Sequence, residues 1–346
     1  MQQLNIIHNQ DCLEGLKQYR DGIFHCCVTS PPYWGLRDYG VDGQLGLESS
    51  PEQFIEKMVE VFREVKRVLR DDGTCWINIG DSYAGNGGAY GSQSEYITGR
   101  QPEQKMGMAE RFKKHAAGIK PKDMVGIPWM LAFALRADGW YLRQDIIWSK
   151  PNPMPESIKD RCTKSHEYIF LLSKSPKYYY NQDTIKEPAS ENTHPRRKQI
   201  PSGWDTGPTN HKGKSGRYSD TGVGWGKTSE HAPGDDRIRP SRIKNNKSFD
   251  AAMSVMPEKR NKRSVWTITP QAFKEAHFAT FPEELPYTCI KAGCPEGGIV
   301  LDPFMGAGTT ALVARKLQRQ YVGYEINSEY VRLAETRLQK ELGMFI

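Results

Sequence analysis

Three features of this chain predict an α/β fold built on a doubly wound, mostly parallel sheet. Strand-like and helix-like segments alternate through both ends of the sequence, as successive strand–helix–strand units do. The run Ile23 to Val28 is apolar nearly throughout, the mark of a central strand covered on both faces. Near the other end, a strand, a glycine-rich turn and a helix follow one another from Ile299 to Leu317. At 346 residues there is room for one large domain with an insert, or for two modest domains.

Taken in order, Leu4 to Ile7 is a short strand ending at Asn9-Gln10-Asp11, and a short helix with Leu13 and Leu16 on one side follows. After the Ile23 strand, Pro51 to Arg70 is a helix. Phe54, Met58, Val61, Phe62, Val65, Val68 and Leu69 share one face, Ser50 caps the start, Pro51 suits the first turn and Asp72-Gly73 stops it. Thr74 to Ile79 is a strand, Gly80 to Lys120 a long Gly-, Ser-, Lys- and Gln-rich loop, and Pro128 to Ala137 a helix ending before Gly139. Tyr141 to Trp148 and Glu167 to Ser173 are strands joined through Pro151, Pro153 and Pro155; an antiparallel pair closing one edge of the sheet is expected. From about Asn181 to Lys262 no regular pattern persists, and Trp204, Tyr218 and Trp225 are scattered among Gly, Pro, Ser, Asn, Lys and Arg. Order returns at Val265 to Ile268. It continues through a helix from Glu283 to Ala292, a strand from Ile299 to Leu301, a helix from Thr309 to Leu317, a strand from Tyr321 to Tyr324 and a helix from Ser328 to Leu342.

The charge is unevenly placed. Between Asn181 and Arg263 lie 17 Lys and Arg against 10 Asp and Glu, so the whole net charge of +7 sits there and the remainder is neutral. Such a segment is either a solvated loop or a surface that meets a polyanion. The seven cysteines form no Cys-x-x-Cys pair, which argues against structural zinc. Cys26, Cys27 and Cys75 fall in strand-like runs and read as buried, reduced thiols of a cytoplasmic protein. The N-terminus lacks the charged and apolar regions of a signal peptide, and no apolar run reaches membrane-spanning length.

Two motifs carry chemistry. Asp302-Pro303-Phe304-Met305-Gly306-Ala307-Gly308-Thr309-Thr310 lies between a strand and a helix. There Gly306 and Gly308 let the backbone approach a ligand, and the amides at the start of the Thr309 helix point toward it. Glu325, ending the next strand, is placed to accept hydrogen bonds from ribose hydroxyls, an arrangement that fits any adenosine cofactor. No Gly-Lys-Ser/Thr follows the turn, so Walker-type phosphate binding is excluded. The second motif, Ser30-Pro31-Pro32-Tyr33, follows the buried strand directly. Paired prolines fix the backbone and leave its carbonyls free as acceptors, Ser30 adds a side-chain acceptor, and Tyr33 offers an aromatic face. An exocyclic amine can place its two N–H bonds on Ser30 and the Pro31 carbonyl while its ring stacks on Tyr33. The simpler alternative is that the prolines end a strand and Tyr33 and Trp34 are core aromatics.

Together and in this order the motifs resemble those of the β-class amino DNA methyltransferases of bacteria and phages, over most of the chain outside the basic segment. The resemblance implies a circularly permuted, Rossmann-like methyltransferase sheet and S-adenosyl-L-methionine as cofactor. It divides the chain into a catalytic half (1–180), a target-recognition region (181–262) and a cofactor half (263–346). It gives Asn9-Gln10-Asp11-Cys12 the place of the acidic turn near the cofactor adenine, with Asp11 as its ligand. His277, Phe281 and Pro282 take the place of the element beside the methionine end; Asp302, Phe304, Gly306, Gly308, Thr309 and Glu325 complete the cofactor set. Apart from it, His277 is an ordinary surface residue and Asp11 a helix cap. The implied partner is double-stranded DNA, with a companion restriction endonuclease and no membrane. A serine at the first motif position favours cytosine N4 over adenine N6 in this family. Cytosine C5 chemistry needs a Pro-Cys nucleophile, and here only the reversed Cys294-Pro295 occurs. Two further readings are a nucleotide-dependent oxidoreductase, which leaves Ser30-Pro31-Pro32-Tyr33 unexplained, and a non-catalytic nucleic-acid-binding protein on the same fold.

Overall fold

The computed structural model describes residues 3–35, 40–84, 119, 120, 122–189, 258–270 and 281–343. Most of the segment from 80 to 120, nearly all of the basic segment with Trp204, Tyr218 and Trp225, and His277 lie outside the described residues. The chain divides into two compact units, one of residues 1–186 with 261–346 and one of residues 187–260. In the second, the described residues form a two-strand antiparallel pair, β6 (Glu187–Pro188) with β7 (Lys259–Arg260), in which Arg260 meets Glu187 at 3.0 Å.

The first unit is organised by one eight-stranded sheet. Its strands are β1 (Ile6–His8), β2 (Phe24–Thr29), β3 (Leu69–Ile79), β4 (Tyr141–Ser149), β5 (His166–Ser173), β8 (Val265–Thr267), β9 (Ile299–Asp302) and β10 (Gln320–Tyr324). They lie in the order β1-β10-β9-β2-β3-β5-β4-β8, and β5 alone runs against the others. The expected hairpin of β4 and β5 stands at this end of the sheet, but it does not close the edge. Val265, Trp266 and Thr267 pair parallel with Ile147, Trp148 and Ser149 one strand further out.

Helices cover both faces, which is why strands such as β2 read as unbroken apolar runs. On one face lie α1 (Cys12–Leu16), α2 (Pro51–Val68) and α3 (Ile127–Ala137), packed on Cys27, Cys75, Ile77 and Ile79. On the other lie α4 (Glu284–Gly293), α5 (Thr309–Lys316) and α6 (Ser328–Leu342), packed on Cys26, Val28 and Trp76. Neighbouring residues of β2 and β3 thus divide between two cores, as the twofold alternation of a strand requires.

The local signals act as the sequence suggests, with one shift. Ser50 Oγ accepts the Gln53 amide at the start of α2, and Phe54, Met58, Phe62 and Val65 are fully buried. The helix ends at Val68 rather than Arg70, because Leu69 is drawn into register with Phe24 and its side chain is buried. Residues 69–73, expected as helix end and turn, are therefore the first part of an eleven-residue β3. At the end of α4, Gly293 touches β3 so closely that a Cβ there would lie 2.5 Å from Thr74 Oγ1 and 2.6 Å from Trp76 Nε1.

An open helical glycine replaced by alanine gains up to about 1 kcal/mol of stability. Gly293→Ala is expected to do the opposite and destabilise by about 1–3 kcal/mol through overpacking. Urea unfolding checks the sign, and a stabilised variant would contradict the packing of α4 on Trp76.

Candidate active site

Because all strands but β5 point the same way, their C-terminal ends meet along one rim, and β5 brings its first residues there. Between β9 and β2 the winding reverses, since β9 leads through α5 to β10 on one side and β2 through α2 to β3 on the other. Open α/β sheets bind ligands at such a switch point. Here it opens as a cleft of about 290 Å³ lined by both sequence motifs.

The switch point is fastened by a buried carboxylate. Asp302, 1 % exposed, accepts the Thr29 hydroxyl at 2.6 Å and the Phe304 amide at 3.0 Å on Oδ1, and the Thr310 hydroxyl at 2.6 Å on Oδ2. Burial dominates its titration and pushes the carboxyl up to about 6, against the pull of these three donors. Thr29 directly precedes Ser30, so this bond ties the end of β2 to the start of the glycine-rich turn.

Phe304, Met305, Gly306, Ala307, Thr309, Glu325, Ile326, Asp11 and Phe281 line the cleft around the glycine-rich turn. Gly306 has φ +52° with open space where a Cβ would stand, the condition for close approach of a ligand to backbone. Glu325 is held by the Gly306 amide at 2.9 Å on Oε2 and the Asn327 amide at 2.8 Å on Oε1. Each carboxylate oxygen has a second acceptor site, so it retains capacity for ribose hydroxyls. Burial raises its carboxyl above the ordinary value. Asp11 lines the cleft and also caps α1 through the Glu14 amide at 3.0 Å.

Other expected cofactor residues stand elsewhere. Asp302 is a fastening inside the protein and Pro282 is buried beside α4; neither is among the cleft-lining residues. Gly308 is likewise not among the cleft-lining residues. It precedes α5 at φ +78°, and a Cβ there would come within 2.8 Å of the Ala334 Cβ, so its place is set by the packing of α5 on α6.

On the acceptor side the cleft is lined by Ser30, Pro31, Pro32 and Tyr33. The two aromatics part company: Trp34 is buried and donates its N–H to the Glu48 carbonyl at 3.1 Å, whereas Tyr33 faces the cleft. Behind Tyr33 stand residues that the motif reading missed. The Tyr33 hydroxyl donates to Glu167 Oε2 at 2.6 Å, Asn78 Nδ2 donates to the same oxygen at 3.1 Å, and Lys150 bonds the other oxygen. Lys150 also stands 4.3 Å from the Trp148 ring centroid. Burial and the Glu167 charge raise the Tyr33 phenol well above its usual value, so it remains protonated. These groups are far apart in sequence: Asn78 and Lys150 stand at the ends of β3 and β4, and the antiparallel return of β5 brings Glu167 to them. Among the described residues, Cys12 is the single cysteine lining the cleft, and burial holds its thiol far above the reactive range. Cys294 is buried in the core with its thiol pushed up to about 12.

Comparison with known proteins agrees with this geometry. The family model described as DNA methylase, covering N6 and N4 methylases, matches residues 24–336. The Type II methyltransferase M.Cfr9I of Citrobacter freundii is 42% identical over 331 residues, covering 96% of this chain and 86% of its own. M.SmaI of Serratia marcescens is 41% identical over 328 residues, covering 95% and 88%. In fold, the PvuII DNA methyltransferase, described as cytosine-N4-specific, superposes with a TM-score of 0.55 at 16% identity, covering 96% of this chain and 85% of that one. A putative DNA modification methylase of Thermus thermophilus, solved with S-adenosyl-L-methionine, gives 0.52 at 20% identity, covering 97% and 95%. The protein is thus an S-adenosylmethionine-dependent DNA methyltransferase of the β class. It belongs to the N6/N4 DNA methylase family.

Asp302 holds its proton more tightly folded than unfolded. Its contribution to stability is therefore full below the unfolded value of 3.8 and is lost as pH rises through about 6. The stability difference between the native chain and Asp302→Asn should shrink by roughly 2–3 kcal/mol from pH 4 to pH 7. Denaturant unfolding at both pH values checks this; a difference that grows with pH would mean that the carboxylate is stabilised in its charged form.

Proposed function

We propose that the chain transfers the methyl group of S-adenosyl-L-methionine to the exocyclic N4 of cytosine in duplex DNA, with the target base flipped out of the helix. The observation that carries this reading is the placing of the Ser30-Pro31 acceptor pair and the Tyr33 ring in one cleft with Gly306 and Glu325. When bound, the cofactor supplies a methyl group on a positively charged sulfur. Phe304, Gly306, Asp11 and Glu325 would hold it, Asp11 near its adenine and Glu325 accepting hydrogen bonds from its ribose hydroxyls.

The protein's part is orientation. The amine lone pair of a base is delocalised into the ring. With one N–H on Ser30 Oγ and the other on the Pro31 carbonyl, and the ring against Tyr33, the nitrogen is turned so that its lone pair faces the donor. Ser30 is a neutral hydroxyl and the Tyr33 phenol is held protonated, so neither removes a proton beforehand. With the cofactor bound, this nitrogen would accept the methyl carbon while the sulfur keeps the bonding pair, and the amine would then give up one proton toward solvent. Attack at cytosine C5 requires a thiolate, which burial denies to Cys12 and Cys294.

Serine at position 30 favours cytosine, following the family habit, over an N6-adenine target. We read residues 181–262 as the target-recognition region because the net positive charge is concentrated there. The insertion of β9 and β10 between β1 and β2 is consistent with a circularly permuted methyltransferase sheet. The Type II names of the relatives support a companion endonuclease that reads the same sequence.

Incubation with S-adenosyl-L-methionine and unmethylated DNA, followed by digestion and mass spectrometry of the nucleosides, should yield N4-methylcytosine. N6-methyladenine would overturn the choice of base and leave the amine mechanism standing, and the absence of any methylated base would return the chain to a binding role. Ser30→Ala should lower methyl transfer by about 10²-fold or more while the cofactor still binds, as calorimetry would report. DNA binding should weaken steeply with added salt; a flat dependence would count against the basic segment as the DNA-facing surface.

A further inference from the structure

We infer that Glu167 is a positioning residue for methyl transfer, acting through the Tyr33 hydroxyl to hold the Tyr33 ring face toward the target base. The inference rests on the reading of Tyr33 as the residue on which that base stacks. Four elements converge on this one carboxylate. Tyr33 follows β2, Asn78 lies in β3, Lys150 follows β4, and Glu167 itself is the second residue of β5. Asn78 divides its amide between Glu167 and the Tyr168 carbonyl at 3.2 Å, which fixes it to the sheet.

The geometry constrains the ring in two ways. A phenol donating to an ionised carboxylate makes a charge-assisted bond, stronger than one between neutral groups, and this fixes where the far end of the ring points. Rotation about the ring's own axis leaves the hydroxyl in place, so a second restraint is needed. Gly80 supplies it: a Cβ there would stand 2.8 Å from Tyr33 Cε2 and 3.4 Å from the Glu167 carboxyl carbon, so its backbone lies close against the ring. Lys150 forms an ion pair with Glu167, so the carboxylate that holds the phenol has its own cationic partner. A structural ion pair alone would need only Lys150 and Glu167. The bond to Tyr33 couples the pair to the aromatic face of the cleft.

The test is a double-mutant cycle of Glu167→Gln and Tyr33→Phe, read as kcat on unmethylated, PCR-amplified DNA with labelled S-adenosyl-L-methionine. Calorimetric affinity for the cofactor serves as the control for folding. Each single variant should lose about tenfold in kcat while cofactor affinity stays within about twofold, and the double variant should be no slower than either single one. Losses that multiply in the double variant would overturn the inference, because Glu167 would then act by another route. If Glu167→Gln does not bind cofactor, Tyr33→Phe decides alone: wild-type kcat without the hydroxyl overturns the inference. The wild-type reaction separates the two levels of failure. No methylated product from the native chain would overturn the proposed function itself, whereas normal turnover with multiplying losses overturns only the role of Glu167.

Discussion

The site depends on one buried carboxylate. Asp302 ends β9 at the point where the winding of the sheet reverses, and its three donors come from β2, the glycine-rich turn and α5. Besides it, β2 and the segment from β9 to α5 are joined by the backbone pairings of Cys26 with Val300 and Cys27 with Leu301 and by a longer bond, 3.4 Å, from the Thr310 hydroxyl to the Val28 carbonyl. With it, the residue before Ser30 and the residues before Gly306 share a single hydrogen-bonded centre. Burial raises the carboxyl and so opposes the charged form, which is what a fastening costs when it lies between two cores. The two lobes of the cleft inherit their spacing from this centre.

The chemistry follows from which groups in the cleft are allowed to ionise. Tyr33 is kept as a phenol and Cys12 as a thiol, so the acceptor side offers oriented acceptors and an aromatic face rather than a base or a nucleophile. On the Gly306 side of the cleft, Glu325 is set in place by two backbone amides. A site of this kind lowers a barrier by holding reactants in line, since a methyl transfer to an amine needs no proton removed in advance. The Lys150–Glu167 pair fits the same pattern: its charges are balanced against each other and spent on holding an aromatic ring.

Much of this was legible in the sequence, because both motifs are continuous. Ser30-Pro31-Pro32-Tyr33 and the turn from Pro303 to Ala307 each directly follow one strand, so their residues are neighbours in the chain as they are in the cleft. The alternation of elements was legible for the same reason, with caps such as Ser50 and stripes such as that of α2 written locally. What stayed hidden depends on contacts between distant strands. Asn78 and Lys150 reach the cleft at the ends of β3 and β4, but Glu167 joins them only because β5 runs backward between those strands, and no local pattern marks a residue at the start of an antiparallel strand as facing the site. The two glycines of the turn look alike in sequence, yet one faces the cleft and the other faces Ala334, a distinction made by the packing of α5 on α6. The extension of β3 back to Leu69 was hidden likewise, since pairing with Phe24 overrode the helical stripe to which Leu69 belongs.

The most direct measurement is single-turnover methyl transfer by Thr29→Val, which removes only the cross-strand bond to Asp302 and keeps the shape of the side chain. If the two lobes are spaced by that bond, the transfer rate should fall by about tenfold or more, while cofactor affinity remains that of the native chain. An unchanged rate would contradict the account, because the ends of β2 and β9 would then hold their places without the fastening at Asp302.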